Sequence, residues 1–349
     1  GAELTYETDG QTFHLALSFE SQGGAPFFGQ PLFTVEVRED QVRGQVSSSR
    51  VFVDNGGGVD KKNEFLALVD HYEVTTTPCD GITLLQIDET CIPTKSNAAI
   101  EAIPSYHTEQ LKEGEGNVIW TIYLKNGDTL RLRHTVKITR VPVVTLTEND
   151  YPMATVDDLN VLLDTLAHEA DRKSVYILQL PAVTYEGGLT MKNFCCDLVG
   201  SEGGTTFTGT VTIATRGIHP SNITNVRFMG DGTGIGLSAS EGAFLHRCTF
   251  ENWEIGAYGG LGSWVNATGC TFRGNDVGLW LDNRGDATCS GSYYGDSVYE
   301  DNGTAVRIAA MPGTETLDFN NCVFRGNGVN VENAAGYAAD LSQIVTVEN

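Results

Sequence analysis

No apolar run in this 349-residue chain approaches the roughly 18 residues that a membrane-spanning helix needs. Basic residues are scarce: 22 Lys plus Arg stand against 45 Asp plus Glu, for a formal net charge of -23. That field, with no basic stripe to offset it, excludes nucleic acid and anionic membrane surfaces as partners. It also repels acidic polysaccharides unless a divalent cation bridges them to the protein. Eight cysteines stand at 79, 91, 195, 196, 248, 270, 289 and 322, yet none forms a CxxC pair or a zinc-type Cys/His spacing. The seven histidines are scattered, with no HExxH or HxH. No structural metal is therefore expected. The opening GAELTYETDG lacks the basic and apolar regions of a secretory signal, so the chain reads as a mature or trimmed form. Secretion or cell-surface display is then inferred from architecture and acidity.

What is abundant is glycine, 40 residues without a three-residue period, which points to many tight turns and an all-β protein. The length suits two domains, each able to bury its own core. Residues 1–148 read as successive alternating strands, among them TFHLALSFE, FTVEVRED, RVFVDN, EFLALVDHYEV and GITLLQID. The segment VIWTIYLKNGDTLRLRHTVKI is a hairpin closed at Asn126-Gly127, the strongest short-range hairpin signal. Strands at this spacing without helices predict an antiparallel β-sandwich. Cys79 and Cys91 flank one short strand at a spacing open to a disulfide, which sequence alone does not establish. This half carries no catalytic motif, leaving packing, linking or glycan binding as its roles.

Residues 149–349 have a different grammar. Thr155 can cap a helix to about Asp171, with Asp158 three residues on in a capping-box position. Leu159, Leu162, Leu163, Leu166 and Ala170 fall on one face of it. Beyond the helix the sequence repeats. NVRFMGDGTGIGL, RCTFENWEIGAYG, GCTFRGNDVGLWL, DSVYEDNGTAVRI and NCVFRGNGVNVEN align on Phe228, Phe250, Phe272, Tyr299 and Phe324, with steps of 22, 22, 27 and 25 residues. Two residues before each stands Val226, Cys248, Cys270, Ser297 or Cys322, and Asn252, Asn275, Asn302 and Asn327 follow the last four. Such a period with Asn/Gly turns predicts a solenoid, and the leucine ladder of a leucine-rich repeat is missing.

These coils resemble the right-handed parallel β-helix of the pectin-lyase-like superfamily. The helix followed by VYILQLPAVTYEGGLTM is similar to that superfamily's N-terminal capping helix and first rung. The resemblance covers roughly residues 150–349. It implies the fold, in a superfamily that includes polysaccharide lyases, glycoside hydrolases and phage tailspikes. The superfamily's catalytic sets are not matched: there is no ordered NxD, DD, GHG and RxK, and no pectate-lyase aspartate or arginine motif.

Alternation along each strand sets what faces out. The aromatics and the Cys/Ser column point inward, so the thiols are expected as small buried side chains. Glu251, Arg273, Glu300 and Arg325 form an outward charge ladder. Eight residues after each aromatic come Gly236, Tyr258, Trp280, Arg307 and Glu332, a second outward column. Aromatic faces beside charged groups suit sugar recognition, with Tyr258, Trp280, Arg284 and Glu332 as binding residues. The candidate catalytic groups are Asp282, Asp286 and Arg307, with Asp296 and Glu254 as further carboxylates to test. Two carboxylates can serve retaining or inverting hydrolysis according to their separation. An arginine with Ca²⁺ would instead suit elimination from a polyuronate. Equally, Tyr258 and Trp280 can simply shield a strand face. Two classes thus stay open: a polysaccharide lyase or hydrolase, and a non-catalytic glycan-binding or adhesin-like surface protein. The sequons at Asn222, Asn266 and Asn302 and the tripeptide Arg284-Gly285-Asp286 read as incidental.

Overall fold

The computed structural model describes residues 2–8, 11–20, 27–29, 31–41, 43–45, 49–52, 59–77, 82–88, 98–107, 110, 112–171, 173–215, 219–260, 262–284, 293–311 and 316–347. Cys79, Cys91, Asp286 and Cys289 lie outside them. The chain divides into two compact units, Gly1–Pro142 and Val143–Asn349.

The first unit is built on two sheets. In the larger, Thr129–Val141 and Gly114–Leu124 form the expected antiparallel hairpin. Its turn is a three-residue loop: Gly127 N–H donates to Leu124 O, and Gly127 takes φ +93°, as a type I turn closed by a glycine bulge requires. Phe27–Gly29 and Pro31–Arg38 run parallel to Thr129–Val141, so this sheet is mixed. The smaller sheet is antiparallel throughout and centred on Ala98–His107. Val51 and Ile100 of one sheet pack with Val118, Trp120 and Ile122 of the other in one buried cluster. One expectation is corrected. EFLALVDHYEV is not a single strand: helix α1, Val59–Leu68, ends within it and Val69–Thr77 carries on as strand. Leu, Ala, Lys and Glu are good helix formers, and α1 seats Phe65 in the cluster.

Strand Val143–Leu146 opens the second unit, and helix α2, Val156–Glu169, follows it with the expected cap. Thr155 Oγ1 accepts from Asp158 N–H at 3.1 Å, and the Asp158 carboxylate accepts from Thr155 N–H at 2.9 Å. Its buried face is Val156, Leu159, Leu162, Leu163 and Leu166.

Everything after α2 pairs in parallel, winding right-handed. Each full coil visits three sheets. The first holds Val143–Leu146, Val175–Gln179, Asp197–Val199, Ser221–Thr224, Gly242–His246 and Trp264–Thr268. The second runs from Thr184–Tyr185 to Val345–Val347, and the third from Leu189–Met191 to Val329–Glu332. Phe228, Phe250, Phe272, Tyr299 and Phe324 stand in register on the second sheet. Their rings stack with centroids 4.5–5.0 Å apart. The column begins two coils earlier than the sequence alignment, at Tyr185 and Phe207. Cys248, Cys270 and Cys322 are buried free thiols, and burial pushes the Cys322 thiol up to about 11.

At the corner between the second and third sheets Asn275, Asn302 and Asn327 form a ladder. Asn302 Oδ1 accepts from Asn275 N–H at 3.1 Å and from its Nδ2 at 2.9 Å, while Asn302 Nδ2 donates to Phe272 O at 3.0 Å and Asn327 Oδ1 at 2.9 Å. Asn252 does not join. It sits two residues after its aromatic, at φ 58°, and Trp253 takes the ladder position, donating its N–H to Asn275 Oδ1. Replacing Asn302 by Ala leaves several buried polar groups unpaired. It is expected to cost about 2–3 kcal/mol, measured by chemical denaturation against wild type.

Candidate functional site

The outward column of the third sheet stands in register as Tyr258, Trp280, Arg307 and Glu332. Its first member is corrected: Ser238, not Gly236, pairs with Tyr258. The turn Gly230–Gly234 is two residues longer than those of later coils and shifts the count. The column is closed upon itself. Arg307 lies over the Trp280 ring at 4.6 Å, and its Nε donates to Glu332 Oε2 at 2.7 Å. Tyr258 meets Trp280 edge-on at 5.7 Å. Tyr258 Oη donates to Asp282 Oδ2 at 3.1 Å, and Arg284 Nε to Asp282 Oδ1 at 2.8 Å. Burial first, then the Asp282 hydrogen bond, raises the Tyr258 phenol. Both tyrosine and tryptophan are half-buried, and a ligand stacking on Trp280 has to displace Arg307.

The carboxylates named from sequence lie on different parts of the coil. Asp282 ends a third-sheet strand. Glu254 sits in the turn between second-sheet and third-sheet strands, and Asp296 in the turn leading into the second-sheet strand Val298–Glu300. Asp296 accepts from Asn321 Nδ2 at 3.2 Å. Asp286 and Gly285 lie outside the described residues. No group of three or more His, Cys, Asp or Glu positioned to hold a metal ion occurs among the described residues. On the second sheet's outer face, Glu300 binds Arg273 and Arg325, each at 3.0 Å, an exposed ladder worth about 0–1 kcal/mol per pair.

The outer face of the first sheet, which the sequence reading did not single out, differs from both. Phe244, Trp264 and Tyr293 occupy consecutive coils. Phe244 meets Trp264 edge-on at 5.9 Å, and Tyr293 is 55% exposed. Trp264 Nε1 and Tyr293 N–H both donate to Asn266 Oδ1 at 3.1 Å. Thr224, His246 and Thr268 form a parallel column, all half-buried. His246 Nε2 reaches Asn222 Oδ1 at 3.3 Å. Amide oxygen only accepts, so Nε2 carries the proton and Nδ1 remains an acceptor. Burial, then Arg247, lowers the His246 pKa, so the ring is neutral at pH 7. Asn222 N–H donates to Asp197 Oδ1 at 2.9 Å, and that carboxylate is only 4% exposed. At this end the cavity beside Cys195, Asp197, His219 and Ser221 measures about 20 Å³, room for one water. The signal for the face was present in AFLH and WVNAT, where an aromatic alternates with core residues. The sequon asparagines are built in: Asn266 and Asn302 are 6% and 2% exposed.

No curated protein matches the chain. A family 28 exopolygalacturonase of Yersinia enterocolitica is similar over 91% of this chain and 80% of its own, at 10% identity and TM-score 0.31. A 2,6-sialyltransferase of Vibrionaceae Photobacterium sp. JT-ISH-224 is similar over 62% of this chain and 42% of its own, at 8% identity and TM-score 0.19. Residues 195–349 match the family model described as right handed beta helix region. That match and the strand pairing agree: this part of the chain is a right-handed parallel β-helix.

Proposed function

We propose that the chain is a non-catalytic saccharide-binding protein, secreted or displayed at a cell surface, and that it holds its ligand on the outer face of the first solenoid sheet. The observation that carries this reading is the run of Phe244, Trp264 and Tyr293 on consecutive coils, flanked by Asn222, Thr224 and Thr268. Stacked coils lie about 4.8 Å apart, so the face offers aromatic surface and hydroxyl-binding groups on successive coils. An extended saccharide presents the same alternation of apolar C–H faces and hydroxyls. A non-catalytic role is favoured because Asp282, Asp296 and Glu254 lie on separate strands and turns of the coil, whereas hydrolysis needs one carboxyl at the glycosidic oxygen and a second across the same sugar at the anomeric carbon or its attacking water.

The test is a polysaccharide array probed with wild type and with Trp264→Ala, Tyr293→Ala and Trp280→Ala. Loss of either first-sheet aromatic is expected to weaken binding about tenfold or more, the effect of removing an interface anchor. Trp280→Ala should leave it within about twofold. Each bound polymer is then incubated with the protein. New reducing ends would make it a hydrolase and a new ultraviolet absorbance a lyase, and either overturns the non-catalytic reading.

A further inference from the structure

We infer that the ligand of this face is an uncharged saccharide, neither a polyuronate nor a sulfated or sialylated chain; this rests on the saccharide-binding reading above. The argument begins with where the cations are. The five first-sheet strands that follow α2 read VYILQ, DLV, SNIT, GAFLH and WVNAT, without a lysine or arginine. Arg247, exposed at the corner after Gly242–His246, is the nearest in sequence. Elsewhere on the solenoid the arginines of the outward columns already hold carboxylates: Arg273 and Arg325 on Glu300, Arg307 on Glu332, and Arg284 on Asp282. Among the described residues an anionic chain would therefore meet no cation on the strands themselves, only Arg247 at their edge, and would approach against a net charge of -23. A carboxylate or sulfate brought to such a surface loses hydration without gaining a charged partner.

The groups that do stand on the face are matched to hydroxyls. Thr224 and Thr268 each donate and accept, His246 keeps Nδ1 as an acceptor, and Asn222 stands beside them, while the buried Asn266 amide holds Trp264 and Tyr293 in place. Of the carboxylates, Asp197 is buried and bound to Asn222, while Asp318 pairs with Tyr293 and Asp340 with Asp318 in the next coils, which adds to the repulsion of an anionic chain. The aromatics supply the apolar half of the match through Phe244, Trp264 and Tyr293.

The discriminating experiment compares a soluble neutral glucan, mannan, xylan and N-acetylhexosamine polymer with the carboxymethylated and the sulfated form of the same backbone. Binding to the full chain is measured by affinity electrophoresis at low and high salt. The expected result is retention by at least one neutral backbone, unchanged within about twofold by salt. Carboxymethylation or sulfation should weaken it about tenfold or more, and Trp264→Ala should weaken it likewise. Tighter, salt-sensitive binding to a charged form, itself lost in Trp264→Ala, would overturn the uncharged class while leaving the saccharide face intact. Binding of neutral chains that Trp264→Ala and Tyr293→Ala both leave unchanged would remove the site from this face. No binding to any polymer, neutral or charged, would take down the saccharide reading itself.

Discussion

Alanine at position 272 is expected to destabilise the solenoid by about 4 kcal/mol. Phe272 is fully buried, its ring 5.0 Å from Phe250 and 4.9 Å from Tyr299, with interplanar angles of 7° and 4°. Truncation therefore opens a cavity and also breaks two aromatic contacts, each worth about 0.5–1.5 kcal/mol beyond burial. Collapse of the neighbours cannot refill the space cheaply. Gly256 and Gly278 already pack so close that a Cβ on either would lie 3.3 and 3.2 Å from Phe272, and 2.6 Å from a carbonyl oxygen of the next coil. Because coils contact mainly their neighbours, the loss should spread as a lowered unfolding midpoint for the whole repeat rather than one frayed coil. Guanidinium unfolding of wild type and Phe272→Ala checks this, with Phe272→Leu as an intermediate. A loss below about 1 kcal/mol would mean the aromatic column is redundant.

Acid should weaken the first unit through one buried histidine. Trp120 Nε1 donates to Ser49 Oγ at 2.8 Å, and Ser49 also binds His134 Nδ1. The hydroxyl takes the tryptophan N–H on one lone pair, and burial favours the neutral form of the imidazole beside it. Ser49 belongs to the smaller sheet and Trp120 and His134 to the larger, so the network ties the two together. Burial pushes His134 down to about 4 from an ordinary 6.5. The unfolded chain therefore takes up this proton first as pH falls. The contribution is complete above about pH 6.5 and is lost progressively down to about pH 4, a span of about 3 kcal/mol. Denaturant unfolding of the full chain across that window should show the decline. His134→Asn, which keeps an acceptor but does not titrate, should flatten it relative to wild type. Equal slopes in the two proteins would assign the acid sensitivity elsewhere.

Much of the solenoid was legible because its inward residues repeat at nearly constant spacing. Phe250, Phe272, Tyr299 and Phe324 keep one distance to the Cys/Ser column and, through Asn275, Asn302 and Asn327, to the turn. Tyr185 and Phe207 escaped because their coils lack both the thiol and the asparagine, leaving one aromatic with no companion marker. Ser238 was misplaced by a turn two residues longer, since a count from the aromatic holds only while turns keep their length. Helix α1 was hidden by alternation: in EFLAL a strand pattern and one helical turn look alike, and burial of Phe65 decided between them. The first-sheet face was hardest to see. Phe244, Trp264 and Tyr293 do not share one register column, and the segments before them vary in length. Only the paired strands show that they stand together.

The buried thiols of Cys196, Cys270 and Cys322 amount to position markers along the coil axis. Thiolate is the form that alkylates, and burial holds Cys196, Cys270 and Cys322 as thiols. Each therefore stays silent to an alkylating pulse until its own coil opens. Labelling of these three together would record the spiral coming undone as one unit, so the chain carries the means of reporting its own unwinding.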